Sequence, residues 1–520
     1  MQAQDSVAPH FAAWFFALFA VTQIPLYWVQ YPDIVDFPNH LARLHVLMHL
    51  AESETLQRYY AMRKLQIGTN LAMEVVVPAL AGWMTLALAL KVFASLAMLL
   101  VTTGAAALGR AVTGRVSYLL LGVLLFAHNA MFHLGLLNYL FGVGAALWLL
   151  SAWIFARHRG GFWHWVVFAA GCILVYLCHL SALGVYAVGV LGYELGRIRA
   201  RGGPMNRAAW QALVLALTQF LPVAIGHVLV STSAGSYVPT SIGDSTFGAL
   251  IVYKVVLVLL APLVSVSGYR LDQTVFGFLL VLALYIGFRE RALQLAVPMR
   301  WMASGLAVAI ALLPPAGFGS NLVDIRLSPA LGLVLWSGLE LSERSKWMPK
   351  VVLGVIAAAV ILISLETTRQ WVLRDDEYRR VRTALAQVPE GSKIATIMLN
   401  GPAYPLSISP HTGAWSIIDR SAFLSSFYIW PFQPFWVAYR EPFASLAKLA
   451  RTDDPAAKPP AYTVLKNVYD YVLVFGGDKA KRDHYAPNAE TILDSPSLRI
   501  LRTGLDQRAE ADATGRGSGR

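Results

Sequence analysis

The chain has 520 residues, of which 57% are hydrophobic and only 14% charged. A soluble surface needs about 25% charged residues, so the composition excludes a soluble protein of this length and indicates a polytopic membrane protein. The net charge of +12 does not point to nucleic acid. The arginines fall mostly in short loops between apolar runs, where they set topology. Cys172 and Cys178 lie within one apolar run and offer no disulfide framework.

The first apolar run, Phe11 to Tyr31, is long enough to cross a bilayer. It has no basic flank and no small-residue cleavage site, so it reads as a span and not as a cleaved signal. Directly after it comes Pro32-Asp33-Ile34-Val35-Asp36-Phe37-Pro38-Asn39-His40-Leu41-Ala42-Arg43. A helix starting near Pro38 places Asp36, His40 and Arg43 near one face, at spacings i, i+4 and i+7. Acid–base and phosphate chemistry at a membrane surface requires such a cluster. Each residue also has a plainer reading. Asp36 can cap the helix, Asp33 can be an interfacial carboxylate, His40 can pack, and Arg43 can snorkel to headgroups. His45 and His49 stand at a metal-binding spacing without a third ligand. The alternative is an amphipathic interfacial helix running to Glu54.

The run Leu71 to Leu90 is interrupted by Glu74 and Pro78 and ended by Lys91, which predicts an interfacial helix. With 11–31, apolar stretches at 92–109, 117–132, 136–156, 163–178, 181–197, 208–230, 273–288, 298–315, 327–342 and 349–365 make about eleven spans. Five basic loops mark the cytoplasmic side: Arg110/Arg115, Arg157–Arg159, Arg197–Arg207, Arg289–Arg300 and Arg344–Lys350. Leu250 to Val266 then reads as re-entrant, because a further crossing would invert the Arg289–Arg300 loop. The opposite face collects the Asp33–Asn70 loop, the turn carrying His128, Asn129, His133 and Asn138, and His179. It also collects the 231–247 loop, the Pro314–Arg326 loop, and everything after about residue 366. Polar groups at membrane depth are costly unless paired, so His128, His133 and His179 are functional candidates, with interhelical hydrogen bonding the alternative, above all for Asn138. Arg326 offers a planar fork to phosphate or pairs with Asp324. Lys91 assists it or snorkels.

From residue 367 charged residues return. Arg369 to Val388 reads as a helix, Lys393–Leu399 and Tyr471–Phe475 as buried strands, and Leu498–Leu501 as a last strand. Asp453 to Pro460 reads as a loop, and Gln507 to Arg520 as disordered. The predicted division is a transmembrane domain over 1–366 with its outer loop 32–91, an outer α/β domain over 367–505, and a tail over 506–520. No internal repeat is evident, which disfavours repeat-built transporters. No P-loop, dinucleotide fingerprint, zinc pattern or nucleophile elbow is present.

The layout resembles the GT-C superfamily of integral membrane glycosyltransferases, which have many spans, a catalytic Asp or Glu in the first large outer loop, and often an outer α/β domain. The pieces that carry the resemblance are Asp33-Ile34-Val35-Asp36-Phe37-Pro38-Asn39-His40, Val388-Pro389-Glu390-Gly391-Ser392 and Tyr469-Asp470-Tyr471-Val472-Leu473-Val474. It covers the whole chain in layout and short motifs in detail, and is strongest for bacterial members whose first-loop motif pairs an Asp with a His. The usual two-carboxylate motif is replaced here by the spaced pair Asp33 and Asp36. The resemblance implies inverting transfer of a hexose or pentose from a polyprenyl-phosphate donor to a glycan, lipid or protein acceptor. The setting it implies is the periplasmic face of a bacterial inner membrane. Asp36 is then the base, with Asp33 the alternative and His40 orienting it or touching the sugar. Arg326, Arg43 or Lys91 hold the phosphate. No cofactor is implied, and a divalent metal stays open. The competing readings are a transporter or flippase for a lipid-linked or small solute, and a catalytically silent scaffold.

Overall fold

The computed structural model describes residues 9–63, 68–157, 161–200, 207–231, 251–252, 254–255, 282–317, 320–342, 348–399, 408–429, 436–450 and 458–505. The segment expected to be re-entrant lies outside them apart from residues 251–252 and 254–255, as do the 232–247 loop, residues 273–281 and the 506–520 tail. The chain forms two compact units. One contains Met1–Trp28, Gln66–Ala79 and Leu88–Arg369; the other contains Val29–Leu65, Leu80–Ala87 and Gln370–Arg520.

The first unit is helical. Among the described residues, four helices are long and apolar enough to cross a membrane: Phe11–Trp28, Leu86–Thr113, Leu137–Ala156 and Met348–Leu385. Shorter apolar helices include Phe162–Cys178, Val297–Leu312 and Leu327–Ser337. Three predicted segments differ, among them 208–230, which is two helices, Arg207–Thr218 and Leu221–Ser231. The 117–132 stretch is not one α-helix. It is a 3-10 helix over Tyr118–Phe126, then a break, then a short helix over Ala130–Leu134. Asn129 makes the break, because its side chain accepts from the backbone N–H groups of Met131 and Phe132 and starts a new helix there. Gly135, at φ 89°, ends it in the left-handed conformation that suits glycine. The Leu71–Leu90 run is also two helices, Ala72–Ala81 and Leu86–Thr113. Lys91 therefore does not end an interfacial helix. It lies inside a 28-residue helix about 42 Å long, buried like Leu90 and Phe93 beside it.

Small residues bring these helices together. A Cβ on Gly144 would lie 2.6 Å from the backbone N of Val101, and one on Gly104 would lie 2.8 Å from the Gly144 carbonyl oxygen. The Leu86–Thr113 and Leu137–Ala156 backbones thus touch, the usual way for helices to associate in lipid, where apolar side chains gain little by avoiding the solvent.

The second unit carries a five-stranded sheet in the order Glu490–Asp494, Leu498–Arg502, Tyr471–Gly476, Lys393–Leu399, Phe423–Leu424. Lys393–Leu399 runs parallel to both of its neighbours, and the remaining pairs are antiparallel. The central strands are almost wholly buried, which is why they read as continuous apolar runs. The span expected at 349–365 and the helix expected from Arg369 are one element, Met348–Leu385, whose residues from Gln370 onward belong to this unit.

The first loop is built into the same unit. Tyr60–Met62 pairs antiparallel with Val437–Tyr439. The fully buried Tyr60 donates its hydroxyl to the Ala422 carbonyl at 2.8 Å. Arg382 grips Asp419 with two hydrogen bonds, 2.8 and 2.7 Å, donates to the Tyr31 hydroxyl at 3.2 Å and lies 4.4 Å over the Trp415 ring. Residues 29–65 and 80–87 thus group with the C-terminal residues, whereas the sequence reading assigned the whole 32–91 loop to the transmembrane domain.

Candidate functional site

Asp36 stands at the start of the Phe37–His49 helix, with Pro38 in its first turn, yet its side chain makes no capping hydrogen bond. Its φ of −87° and ψ of 0° depart from the extended geometry that directs a capping side chain at the helix N–H groups. Its Oδ1 lies instead 3.2 Å from Nε2 of His411. His411 sits in a short 3-10 helix, Pro410–Ala414, that starts at Ser409. The Ser409 hydroxyl accepts from the His411 backbone N–H at 3.0 Å and donates to the Val35 carbonyl at 2.6 Å. One serine thereby fixes the histidine's backbone to the residue preceding Asp36.

Asp33 has a different environment. Arg374 donates to its Oδ2 at 2.9 Å and Tyr378 donates to its Oδ1 at 3.0 Å. The Tyr378 oxygen in turn accepts from the Ser409 N–H at 3.0 Å. Both oxygens of Asp33 are engaged. Among the described residues Asp36 engages one, and its side chain keeps 19% of its accessible surface. Burial raises the Asp36 pKa. The hydrogen bond and charge of His411, then the charges of His40 and Arg43, outweigh burial and hold the carboxyl below its ordinary value. His40 and Arg43 are both buried on the helix that follows.

The second unit therefore holds Asp33, Asp36, His40 and Arg43, and the charges of His40 and Arg43 reach Asp36 from the helix that it begins. It adds His411, Ser409, Arg374 and Tyr378, which sequence reasoning missed. The Ser409-Pro410 step signals a helix start, but nothing local in the sequence links it to the first loop. His45 and His49 stack with ring centroids 4.5 Å apart. Burial, then the His49 charge, lowers the His45 pKa to about 4, with Asp419 opposing. No group of three or more His, Cys, Asp or Glu side chains among the described residues is arranged to hold a metal ion.

The remaining candidates lie in the first unit. Arg326 Nη1 is 3.2 Å from His179 Nε2, and both residues are buried. The Ser181 backbone N–H donates to His179 Nδ1 at 3.0 Å. The Arg326 guanidinium thus faces the His179 ring at hydrogen-bond distance. Tyr139 fixes the arginine's backbone by donating to its carbonyl. The alternative partner considered for Arg326, Asp324, is taken by Lys254, which also donates to the Ile310 carbonyl at 3.2 Å. His128 donates from Nε2 to the Thr22 carbonyl at 2.8 Å, and its ring lies 5.8 Å from that of His133. Asn138 accepts from Met73 N–H at 2.7 Å and donates to the Asn70 carbonyl at 2.8 Å, the linking role open to it in the sequence. Lys91 is buried within the Leu86–Thr113 helix.

The fold has a solved counterpart. The crystal structure of ArnT from Cupriavidus metallidurans in the apo state is similar to this chain with a TM-score of 0.52, over 95% of this chain and 98% of that one, at 12% sequence identity. The two chains share an overall fold. No protein-family profile matches the sequence, and no curated protein is similar to it in sequence. At this identity the likeness to ArnT extends to the fold, and the roles of individual residues rest on the geometry above. Long apolar helices and a small sheet in the C-terminal part of the chain make up this fold.

Proposed function

We propose that this chain is an inverting glycosyltransferase that moves a hexose or pentose from a polyprenyl-phosphate donor to an acceptor at the periplasmic face of a bacterial inner membrane. The GT-C fold supports the reaction class. The observation that carries the choice of base is the contrast between Asp33, with both oxygens engaged, and Asp36, with one held and one open. A base must have a lone pair available at the reacting proton. In this reading Oδ2 of Asp36 takes the proton of the acceptor hydroxyl as its oxygen bonds to the anomeric carbon. The bond from that carbon to the phosphate oxygen breaks, and its electron pair leaves with the phosphate.

Arg326, with His179 beside it, is the candidate to hold that phosphate, because a planar guanidinium keeps its charge and suits phosphate oxygens. Arg43 and Lys91 add positive charge, His40 borders the base, and His128 and His133 are candidate donor-binding groups. The basic loops support a periplasmic location for the first loop and the C-terminal unit. The acceptor is a glycan, lipid or protein.

The test is analysis of lipid-linked and envelope glycans in a strain lacking the gene, complemented at matched protein level. Asp36→Asn should fail to restore the product, with turnover reduced by about 10²–10⁴. A wild-type glycan profile with Asp36→Asn would remove Asp36 as the base, and wild-type profiles with both Asp36→Asn and Asp33→Asn would remove the transferase reading.

A further inference from the structure

We infer that His411, from the C-terminal unit, is a positioning residue for Asp36: it holds one carboxylate oxygen and leaves the other directed to the acceptor hydroxyl. This rests on the reading of Asp36 as the base. The histidine lies 3.2 Å from Oδ1 and is the one hydrogen-bond partner of the Asp36 side chain among the described residues. Its backbone is fixed from two directions. Ser409 ties it to Val35, and through Tyr378 the same serine is tied to Asp33. Rotation of the Asp36 carboxylate therefore requires breaking a contact whose far side cannot follow.

The tautomer is determined by the partner. Oδ1 of an ionised carboxylate only accepts, so Nε2 carries the proton. Nδ1 of His411 is buried with no hydrogen-bond partner among the described residues. His411 thus serves as a donor to Asp36 and passes no proton onward through a second residue. The groups whose charges act on Asp36 are His411, His40 and Arg43. The Tyr428 ring lies 6.4 Å from that of His411. His40 and Arg43 are on the helix that Asp36 begins, so His411 is the contribution of a distant part of the chain. Its hydrogen bond favours the ionised form of Asp36, the form a base needs.

A merely structural histidine would affect folding without affecting the protonation of Asp36. Dicyclohexylcarbodiimide, which reacts with protonated carboxyls, separates the two roles in the full-length protein in native membranes. The extent of modification at Asp36 and at Asp33 is read by peptide mass spectrometry across a pH series. In H411A, Asp36 should become reactive at a pH about one unit higher than in the wild type, since loss of a charge-stabilising partner shifts a carboxyl by 1–3 units. Asp33 should be unaffected. H411Q, which retains an N–H donor at comparable reach, should restore most of the wild-type behaviour at Asp36. In a transfer assay with polyprenyl-phosphate sugars, the acidic limb of the pH profile should move in the same direction. Equal reactivity of Asp36 in H411A and wild type would overturn the inference, as would equal shifts at Asp33 and Asp36. A labelling shift confined to Asp36, with no transfer by the wild type from any polyprenyl-phosphate sugar, would overturn the transferase reading while leaving His411 as the group that controls Asp36.

Discussion

In the helical unit the ionisable groups around Arg326 meet partners from other segments. Asp324 is taken by Lys254, which also satisfies a carbonyl at the end of the Val297–Leu312 helix, and His179 is held by Ser181 and faces Arg326. In the second unit Asp33 is equally saturated, but Asp36 keeps one oxygen open. Asp33 and Asp36 share one unit, so the difference between them is one of partners and not of region. An unpaired polar group within a bilayer costs several kcal/mol, so its neighbours are recruited to satisfy it. A carboxylate at an aqueous-accessible position can be held by one oxygen and left reactive at the other. A half-engaged charge is therefore a sharper pointer to chemistry here than the density of polar residues.

The strongest test of that contrast sets the two carboxylates against each other. Asp36→Asn should lower turnover by about 10²–10⁴ while the protein extracts and unfolds like the wild type, because no cap is lost. Asp33→Asn should do the reverse in kind. It removes the charge opposite Arg374 and should cost about 3 kcal/mol of stability, as for other largely buried pairs deprived of one partner. A thermal-unfolding series in detergent distinguishes them. Equal destabilisation by the two substitutions would break the comparison.

Arg326→Lys keeps the charge but loses the planar fork opposite His179. Donor engagement should weaken about tenfold, a loss of about 1.4 kcal/mol, read as a raised KM with expression unchanged. An unaltered KM would remove Arg326 from the phosphate site.

The smallest effect concerns pH. His45 is held neutral in the folded protein, with its pKa lowered to about 4 by burial first and by His49 second. Its contribution to stability is complete above the ordinary value near 6.5 and is lost progressively as the pH falls from there towards 4, where the unfolded chain binds a proton that the folded chain refuses. His45→Phe should therefore flatten the decline in unfolding temperature between pH 6.5 and 4 and change little at pH 7.5.

Much of this organisation is legible in the residues. Composition gives the membrane class, and period and turn chemistry give strands at Lys393–Leu399, Tyr471–Phe475 and Leu498–Leu501, where the structure has Lys393–Leu399, Tyr471–Gly476 and Leu498–Arg502. The cluster after the first span is visible because Asp36, His40 and Arg43 share a helix, and helix spacing is local. The apolar run at 117–132 misled because hydrophobicity alone does not report the break that Asn129 makes by capping a new helix. Lys91 misled because a single charge was taken as an end, whereas a long helix can bury it.

What the sequence by itself determined is the set of chemical groups and the local elements that carry them, since these follow from hydrophobic period, capping and chain length. Tertiary structure alone decided which carboxylate is left open. Tyr378 and Arg374 close around Asp33, and Ser409 brings His411 to Asp36, through contacts between residues more than three hundred positions apart. No local pattern encodes such contacts, because the pairing of distant polar groups is fixed only when the chain between them has folded and excluded the water that would otherwise satisfy each of them.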